Sequence, residues 1–283
     1  MREVLYYAPT ELTEALRILA DHREKAAVLA GGTDLLPKLN YYEVKPEALL
    51  YIGRLDLRSI HNGGPDLTIG ATTTTADLAT NELVQQYAPA LAQAARLSGS
   101  IAIQNAATIG GNIANASPAA DLAVALLAMD ASARLVSHQG QRDVSLADFF
   151  LGPHQTILQP DELITQVRIP LSPGKTEFLK LGRRKGQTLA VVSVAVRLQM
   201  EGDLCQDARV VLGSMAPTPL RCRMAEDLLR GQKITQELIQ ETAKQAIAES
   251  SPITDQRATA WYRQQAGQAL VRRAIQQALD KGG

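Results

Sequence analysis

Two glycine pairs, each flanked by apolar and small polar residues, constrain this chain more than any other feature. The first pair lies in LAGGTDLL, residues 29–36, and the second in ATIGGNIANASPAAD, residues 107–121. Glycine lets the backbone approach a ligand closely, and neighbouring amide N–H groups can converge on an anion. A helix that begins beside such a turn adds a partial positive charge. Two such loops in one domain predict a site for a pyrophosphate.

The two segments differ from the common nucleotide-binding motifs. Neither has the spacing GxGxxG or the spacing GxxxxGK followed by Ser or Thr. An ordinary dinucleotide-binding fold and a kinase-like phosphate loop therefore lose support. A strand, a glycine pair and a helix also occur in sequence as a plain connection, so each loop taken alone leaves both interpretations open.

Composition and charge narrow the classes of partner. The chain has 283 residues, 46% of them hydrophobic, as expected of a globular protein. Lys and Arg together number 29, equal to Asp and Glu, and this balance argues against nucleic acid as the main partner. The start lacks the pattern of a signal peptide, and the longest apolar run, residues 122–129, is far below the ~20 residues that span a bilayer. We expect a cytoplasmic protein without membrane insertion.

No residue pattern predicts catalytic or metal-binding side chains. Cys205 and Cys222 are far apart and have no His or Cys close by in sequence, whereas zinc sites and iron–sulfur clusters normally use four ligands. We expect both thiols to be reduced. His61, His138 and His154 lie in polar, turn-like contexts and are assigned no catalysis.

Periodicity predicts a mixture of helices and strands in the first 172 residues. We expect a helix over residues 10–22 capped by Thr10, a strand over 26–30, and a helix that begins after a capping Asp34. Residues 75–97 have a helical pattern. Residues 162–170 alternate between polar and apolar and end in proline, which predicts an edge strand.

The sequence pattern changes after Pro173 and Gly174, which we take as the boundary between two domains. Strands are predicted over residues 177–182, 191–199 and 208–213, followed by helices over 221–229, 236–249 and 258–279. Trp261 and Tyr262 are expected to pack inside this second domain.

In order and together, the motifs resemble a known family. LAGGTDLLPKLN followed by TIGGNIANASPAADLAVALLAMDA resembles the FAD-binding (medium) subunits of molybdenum hydroxylases, the xanthine dehydrogenase and carbon monoxide dehydrogenase family. The likeness extends to ATAWYRQQAGQALVRRAI and covers nearly the whole chain. It implies an α+β fold with a two-part FAD-binding domain of the PCMH/vanillyl-alcohol-oxidase type over residues 1–172, divided near residue 55. A C-terminal domain over residues 175–283, like that of carbon monoxide dehydrogenase flavoproteins, has a small antiparallel sheet and helices.

The resemblance also implies which residues hold the cofactor. The first loop wraps the pyrophosphate, the second loop continues toward the flavin, and residues from two later strands line the flavin side. The implied cofactor-binding residues are Leu29, Ala30, Gly31, Gly32, Thr33, Asp34, Leu35, Leu36, Thr108, Ile109, Gly110, Gly111, Asn112, Ser117, Asp121, Ile164 and Lys180.

Several of these positions have a structural alternative. Asp121 could cap a helix, Asn112 could satisfy its own backbone in a turn, and Lys180 could be a surface cation. Beside them, Arg183, Arg184 and Lys185 could form a solvated loop or attract the phosphates of NAD.

The implied function is electron transfer in a complex. FAD, bound non-covalently because neither loop offers His, Cys or Tyr, relays electrons from [2Fe–2S] clusters to a terminal acceptor such as NAD. The [2Fe–2S] clusters belong to an iron–sulfur subunit and the molybdopterin to another partner subunit. The alternatives are a stand-alone flavin-binding or maturation protein of the same fold, and a free-standing flavin oxidase, which would need its own acid–base residues.

Overall fold

Three sheets and eleven α-helices make up the part of the chain that the computed structural model describes, residues 4–184 and 188–281. A two-stranded ribbon is added to them. The architecture is α+β, as the sequence predicts, with helices and mostly antiparallel strands in separate groups rather than in regular alternation.

A small parallel sheet forms the N-terminal unit. Its elements are β1 (Leu5–Tyr7), α1 (Leu12–His22), β2 (Ala26–Leu29), α2 (Leu35–Asn40) and β3 (Ala48–Tyr51). The strand order is β1-β3-β2, and α1 packs Ala15, Leu16 and Leu19 against Leu50 of β3. The predicted Thr10 cap is wrong. The N-cap is the next residue, Glu11, and its side chain makes no capping hydrogen bond.

The second unit is a five-stranded antiparallel sheet covered by helices. Its strands are β4 (Ile60–Asn62), β5 (Asp66–Gly70), β6 (Ser132–Ser137), β7 (Gly140–Ser145) and β10 (Leu163–Pro170), with the ribbon β8 (Phe150–Gly152) and β9 (Gln155–Thr156) beside them. The helices are α3 (Thr75–Thr80), α4 (Glu82–Tyr87), α5 (Pro89–Leu97), α6 (Ile101–Ala106), α7 (Ile109–Asn115) and α8 (Asp121–Ala128).

The predicted edge strand over residues 162–170 is wrong. In the strand order β4-β5-β10-β6-β7, β10 is the central strand. Pro170 is compatible with this place because it is the last residue of β10, where a missing N–H affects only the end of the ladder.

The helical pattern over residues 75–97 is divided into three helices by local capping. Thr74 and Asp77 form a capping box at the start of α3. The Asn81 side chain accepts from two amides at the start of α4, and Pro89 is at the first position of α5. Each new cap ends the preceding helix.

The C-terminal unit is an antiparallel sheet in the order β11-β12-β13-β14 with three helices. Its elements are β11 (Lys175–Gly182), β12 (Ala190–Glu201), β13 (Leu204–Gly213), β14 (Leu220–Arg221), α9 (Arg223–Leu229), β15 (Gln232–Lys233), α10 (Gln236–Ala248) and α11 (Ala260–Asp280). The predicted three-strand meander and three helices are present. The packing predicted for Trp261 and Tyr262 is wrong, since their residues are 68% and 46% exposed.

Helix α8 joins the two larger units. Every residue of α8 is buried, and its apolar side chains share one core with Phe178, Ala195 and Val211 of the C-terminal sheet. A helix that is apolar all round is typical of a position between two packed layers. Among residues 4–184 and 188–281, no helix is long and apolar enough to cross a membrane.

Candidate functional site

A cleft of about 940 Å³ lies where the three units meet. Most of the residues predicted from the motifs line it: Ala30, Gly31, Gly32, Thr33, Asp34, Leu35, Thr108, Gly110, Gly111, Asn112, Ser117, Asp121, Ile164 and Lys180. Three predicted residues lie off the cleft. Ile109 is fully buried in the core, Leu36 is 45% exposed elsewhere, and Leu29 ends β2.

The first loop presents a row of free backbone donors. Within the part of the chain that the structure describes, no amide N–H of residues 31–35 donates to a protein oxygen. These residues are half-buried along the cleft wall. Consecutive unpaired N–H groups at a turn and a helix start are suited to an anion, as the sequence predicts for this loop.

Both glycines of the first loop are required by packing. A Cβ at Gly31 would lie 1.7 Å from the carbonyl oxygen of Ala106, so the loop contacts the backbone before α7 directly. Gly32 has a φ of +71°, in the left-handed region that favours glycine. The predicted cap by Asp34 is absent, because its carboxylate pairs with Lys38 at 2.6 Å instead of accepting from the helix amides.

In the second loop the amides of residues 109–112 all donate to protein oxygens, so its glycine pair does not offer the free donors that the first loop has. Ile109 and Gly110 donate to the carbonyl oxygens of Thr73 and Ala71 at 3.0 and 2.9 Å. Gly111 donates to the Thr108 hydroxyl at 3.1 Å, which is the N-cap bond of α7. Asn112 donates to the Thr108 carbonyl oxygen at 2.9 Å.

The glycine pair of the second loop contributes shape, and Asn112 beside it contributes an unpaired acceptor. Gly110 lies against Ala71, whose Cβ would be 2.8 Å from an added Cβ. Gly111 lines the cleft, and an added Cβ would meet only the Thr108 hydroxyl. Asn112 also lines the cleft, within α7 rather than in a turn, and its buried Oδ1 has no protein partner.

A buried ion pair closes the other side of the cleft. The Lys180 Nζ donates to Asp121 Oδ2 at 2.6 Å and to the Leu97 carbonyl oxygen at 2.9 Å, and both charged side chains are 5% exposed. The alternatives of a surface lysine and a capping aspartate are therefore wrong; Asp121 is the first residue of α8 and makes no cap bond. Burial raises the pKa of Asp121 to about 6, an effect that Lys180 partly offsets.

The cleft contains residues that the sequence did not indicate. His154 lines it from the turn between β8 and β9, with a φ of +58° and its Nδ1 2.8 Å from the Asn115 carbonyl oxygen. Glu162 also lines it, and two hydrogen bonds from Arg142, at 2.7 and 2.8 Å, hold the pKa of Glu162 below its usual range. Neither residue belongs to a motif, so only the folded chain reveals their position.

A second, polar cleft of about 880 Å³ adjoins the first and shares Ser117 and His154 with it. Arg183, Arg184 and Arg257 line it, so the predicted basic loop faces a concave surface. Lys185, the third basic residue of that loop, lies outside the described residues.

The chemistry that these residues offer is binding rather than metal ligation. Among residues 4–184 and 188–281, no group of three His, Cys, Asp or Glu side chains is arranged to hold a metal ion. Cys205 and Cys222 are free and buried, and burial raises the pKa of both thiols. The cleft combines free amide donors, unpaired oxygen acceptors and one buried cation.

Comparison with known proteins identifies the family to which the chain is similar. Residues 2–172 match the FAD binding domain in molybdopterin dehydrogenase, and residues 177–278 match the CO dehydrogenase flavoprotein C-terminal domain. The glyceraldehyde dehydrogenase medium chain of Sulfolobus acidocaldarius is 33% identical over 277 residues, covering 97% of this chain and 98% of that one. The carbon monoxide dehydrogenase medium chain of Hydrogenophaga pseudoflava is 34% identical over 273 residues, covering 95% of each chain.

Solved structures agree over the whole chain. Carbon monoxide dehydrogenase from Hydrogenophaga pseudoflava, in a form lacking the Mo-pyranopterin moiety, matches with a TM-score of 0.96 and 34% identity over 99% of both chains. Quinoline 2-oxidoreductase from Pseudomonas putida 86 matches with a TM-score of 0.92 and 30% identity, covering 98% of this chain and 96% of that one. The resemblance drawn from the motifs is confirmed. The chain belongs to the molybdopterin dehydrogenase flavoprotein family, whose matching members are the medium or FAD-binding subunits of carbon monoxide and xanthine dehydrogenases.

Proposed function

We propose that this chain is the FAD-binding, electron-transferring subunit of a heteromeric molybdenum hydroxylase. The observation that carries the proposal is the cleft with free amides of residues 31–35 on one wall and the Lys180–Asp121 pair on another. When bound, FAD accepts electrons one at a time and releases them as a pair. The [2Fe–2S] clusters and the molybdopterin reside on partner subunits, an arrangement supported by the family of the relatives.

The first loop fits the diphosphate of FAD. Its unpaired N–H groups can donate to phosphate oxygens, and the missing side chains of Gly31 and Gly32 let the backbone come close. Lys38 lines the same cleft, where its ammonium is paired with the Asp34 carboxylate at 2.6 Å. These groups would bind the diphosphate and thereby orient the cofactor.

The opposite wall of the cleft fits the polyol chain and the flavin ring of FAD. Asn112 Oδ1 and Asp121 Oδ1 are buried acceptors that lack a donor within residues 4–184 and 188–281, so a ligand hydroxyl or N–H group would satisfy them. Lys180, held by two oxygens, keeps a fixed positive charge beside the cleft. Because the Lys180 ammonium is already oriented, it would stabilise negative charge on a flavin bound beside it.

The terminal acceptor is proposed to be anionic, and NAD is the candidate. Support comes from the second cleft, which Arg183 and Arg257 line together with Asp255, whose carboxylate is paired with Arg257. Guanidinium groups bind phosphate oxygens in two-point geometry, which suits a dinucleotide.

Reconstitution tests the proposed function. The pure FAD-loaded chain is assayed against purines, aldehydes, aromatic heterocycles and carbon monoxide, first alone and then with the proteins that copurify from its host. We expect no hydroxylation by the chain alone, and turnover once an iron–sulfur and a molybdopterin protein are added. Turnover by the chain alone, free of iron and molybdenum, would favour a free-standing flavin oxidase. A chain that holds FAD but copurifies with neither partner would favour a stand-alone flavin-binding protein.

A further inference from the structure

Asp130 occupies an unusual backbone position at the end of α8. Its φ is +51°, and the two bonds Asp130 N to Leu127 O and Ala131 N to Leu126 O form a Schellman motif. Glycine is the usual residue at this place, because a Cβ is disfavoured in the left-handed region. The aspartate at this position also has a side chain that makes contacts, which glycine could not make.

The Asp130 carboxylate accepts hydrogen bonds from three arginines, which lie on three strands of the C-terminal sheet. Arg197 of β12 donates to Oδ2 at 2.7 Å, Arg209 of β13 donates to Oδ1 at 2.9 Å, and Arg221 of β14 donates to Oδ1 at 3.2 Å. The carboxylate is partly shielded from solvent, with 29% of its side chain exposed, and Arg197 is only 6% exposed. Asp130 belongs to the second unit, so all three contacts join the two larger units.

The arginines need this carboxylate. Arg197 and Arg209 are direct cross-strand neighbours, an arrangement that is unfavourable for like charges unless anions lie between them. Four arginines of the C-terminal unit share this network with three of its own carboxylates, Asp207, Glu226 and Asp227. Asp130 is the fourth carboxylate and balances the charge, and it is supplied by the other unit.

Helix α8 is thus tied to one sheet at both ends. Asp121 begins the helix and pairs with Lys180 of β11 in the cleft, and Asp130 follows its end and pairs with β12, β13 and β14. The two carboxylates are separated by nine residues, or about 13 Å at the rise of an α-helix. The sheet already packs on α8 through their shared core, and the ion pairs at the two helix ends add a restraint on the angle between helix and sheet. That angle sets the place of the Lys180 ammonium.

We infer that Asp130 is a positioning residue for the flavin site, which acts through Arg197, Arg209 and Arg221 to hold the sheet that carries Lys180 against Asp121. The inference rests on the proposed function only in taking FAD as the ligand of the cleft. Asp130→Asn is the informative substitution, because asparagine is accepted at a left-handed helix end and removes only the charge.

The first test needs no cofactor. The full-length apo chain is treated with an amine-reactive reagent, and the modification rate of Lys180 is followed by mass spectrometry. We expect Asp130→Asn to raise that rate about tenfold. Substitutions that act at a distance change the energetic coupling between two sites by about three- to thirtyfold. Arg230→Gln is the matched control, because it removes one charge from the same network, while the ion pairs of Arg230 in the described part of the chain are with carboxylates of its own unit. An unchanged Lys180 rate in Asp130→Asn, or an equal rise in Arg230→Gln, would overturn the inference.

The second test is a double-mutant cycle on FAD affinity. Asp130→Asn should lower the affinity about tenfold in the wild-type background and by less than about twofold in the Lys180→Met background, because residues that act through one another are not additive. The visible circular dichroism of bound flavin should change in the same way in both single variants. Losses that multiply would contradict the inference. A wild-type chain that binds no FAD would instead defeat the proposed function and leave the labelling result standing.

Discussion

The ammonium of Lys180 lies 2.6 Å from Oδ2 of Asp121, although the two residues are 59 positions apart and belong to different units. The pair is buried at the edge of the cleft, and the Leu97 carbonyl oxygen is the other partner of the ammonium. Neither unit alone can form this wall. The candidate site is therefore complete only when the C-terminal sheet is docked on α8.

Lys180→Met should weaken both the fold and FAD binding. Removal of one partner from a buried ion pair leaves the other charge uncompensated, which costs about 3 kcal/mol of unfolding free energy. Lys233→Met is the matched control, since Lys233 pairs with Asp203 in an exposed bridge with side-chain exposures of 68% and 75%. The control should leave the unfolding free energy close to that of the wild type, because an exposed ion pair contributes little to stability. Denaturant unfolding and FAD titration measure both quantities, and wild-type FAD affinity in Lys180→Met would contradict this role.

Asp121 should make the stability of the apo chain depend on pH. Its pKa is raised from 3.8 to about 6, so the folded chain binds this proton more tightly than the unfolded chain. The stabilisation is full below the unfolded pKa near 4 and is lost as pH rises toward 6. Asp121→Asn lacks this titration, so its stability relative to wild type should rise by about 3 kcal/mol between pH 4 and pH 6.5 and then stay constant. A difference that does not vary over this interval would refute the buried ionisation.

The two glycines of the second loop should respond differently to alanine. An added Cβ at Gly110 would clash with Ala71, so Gly110→Ala should lower the free energy of unfolding by about 1–3 kcal/mol. Gly111→Ala should change the free energy of unfolding by less than about 1 kcal/mol, because the shift of the Thr108 hydroxyl, 2.9 Å from the added Cβ, opposes the helix preference of alanine. The same variant should bind FAD more weakly, since the new methyl group points into the cleft. Equal losses of stability in both variants would show that Gly111 is also a packing residue.

The motifs predicted the cleft because the glycines act locally. Gly31 and Gly32 place free amides on one wall through their own backbone geometry, and Gly111 leaves the facing wall without a side chain. The strands of the C-terminal sheet were equally visible, since the apolar run of β12 and the apolar end of β13 are local features of the sequence. Sequence spacing was sufficient for these features.

Features that depend on distant partners were not predictable. The amides of Ile109 and Gly110 are occupied because Thr73 and Ala71, more than 30 positions earlier, supply the acceptors. The burial of Lys180 depends on Asp121, and His154 reaches the cleft because the β8–β9 turn bonds to the end of α7. Alternation ending in Pro170 suits either an edge strand or the last residue of a central one, so the pattern alone could not place β10.

FAD should be bound without a covalent link. The glycine loops contain no His, Cys or Tyr, and the His154 Nδ1 is already hydrogen bonded to the Asn115 carbonyl oxygen. Acid precipitation of the yellow protein should release all flavin into the supernatant, from wild type and from His154→Gln alike. Colour that stays with the wild-type polypeptide and is lost in His154→Gln would identify His154 as an attachment point.

An equilibrium titration of the full-length apo chain with FAD, followed by quenching of flavin fluorescence, tests most directly whether this cleft holds the cofactor. We expect saturation at one FAD per chain. Gly111→Val, whose Cβ would meet only the Thr108 hydroxyl, should lower the affinity by about tenfold or more, equal to at least 1.4 kcal/mol, in a chain that circular dichroism shows to be folded. No binding by the wild-type chain, or equal binding by a folded Gly111→Val chain, would show that FAD is not held in this cleft.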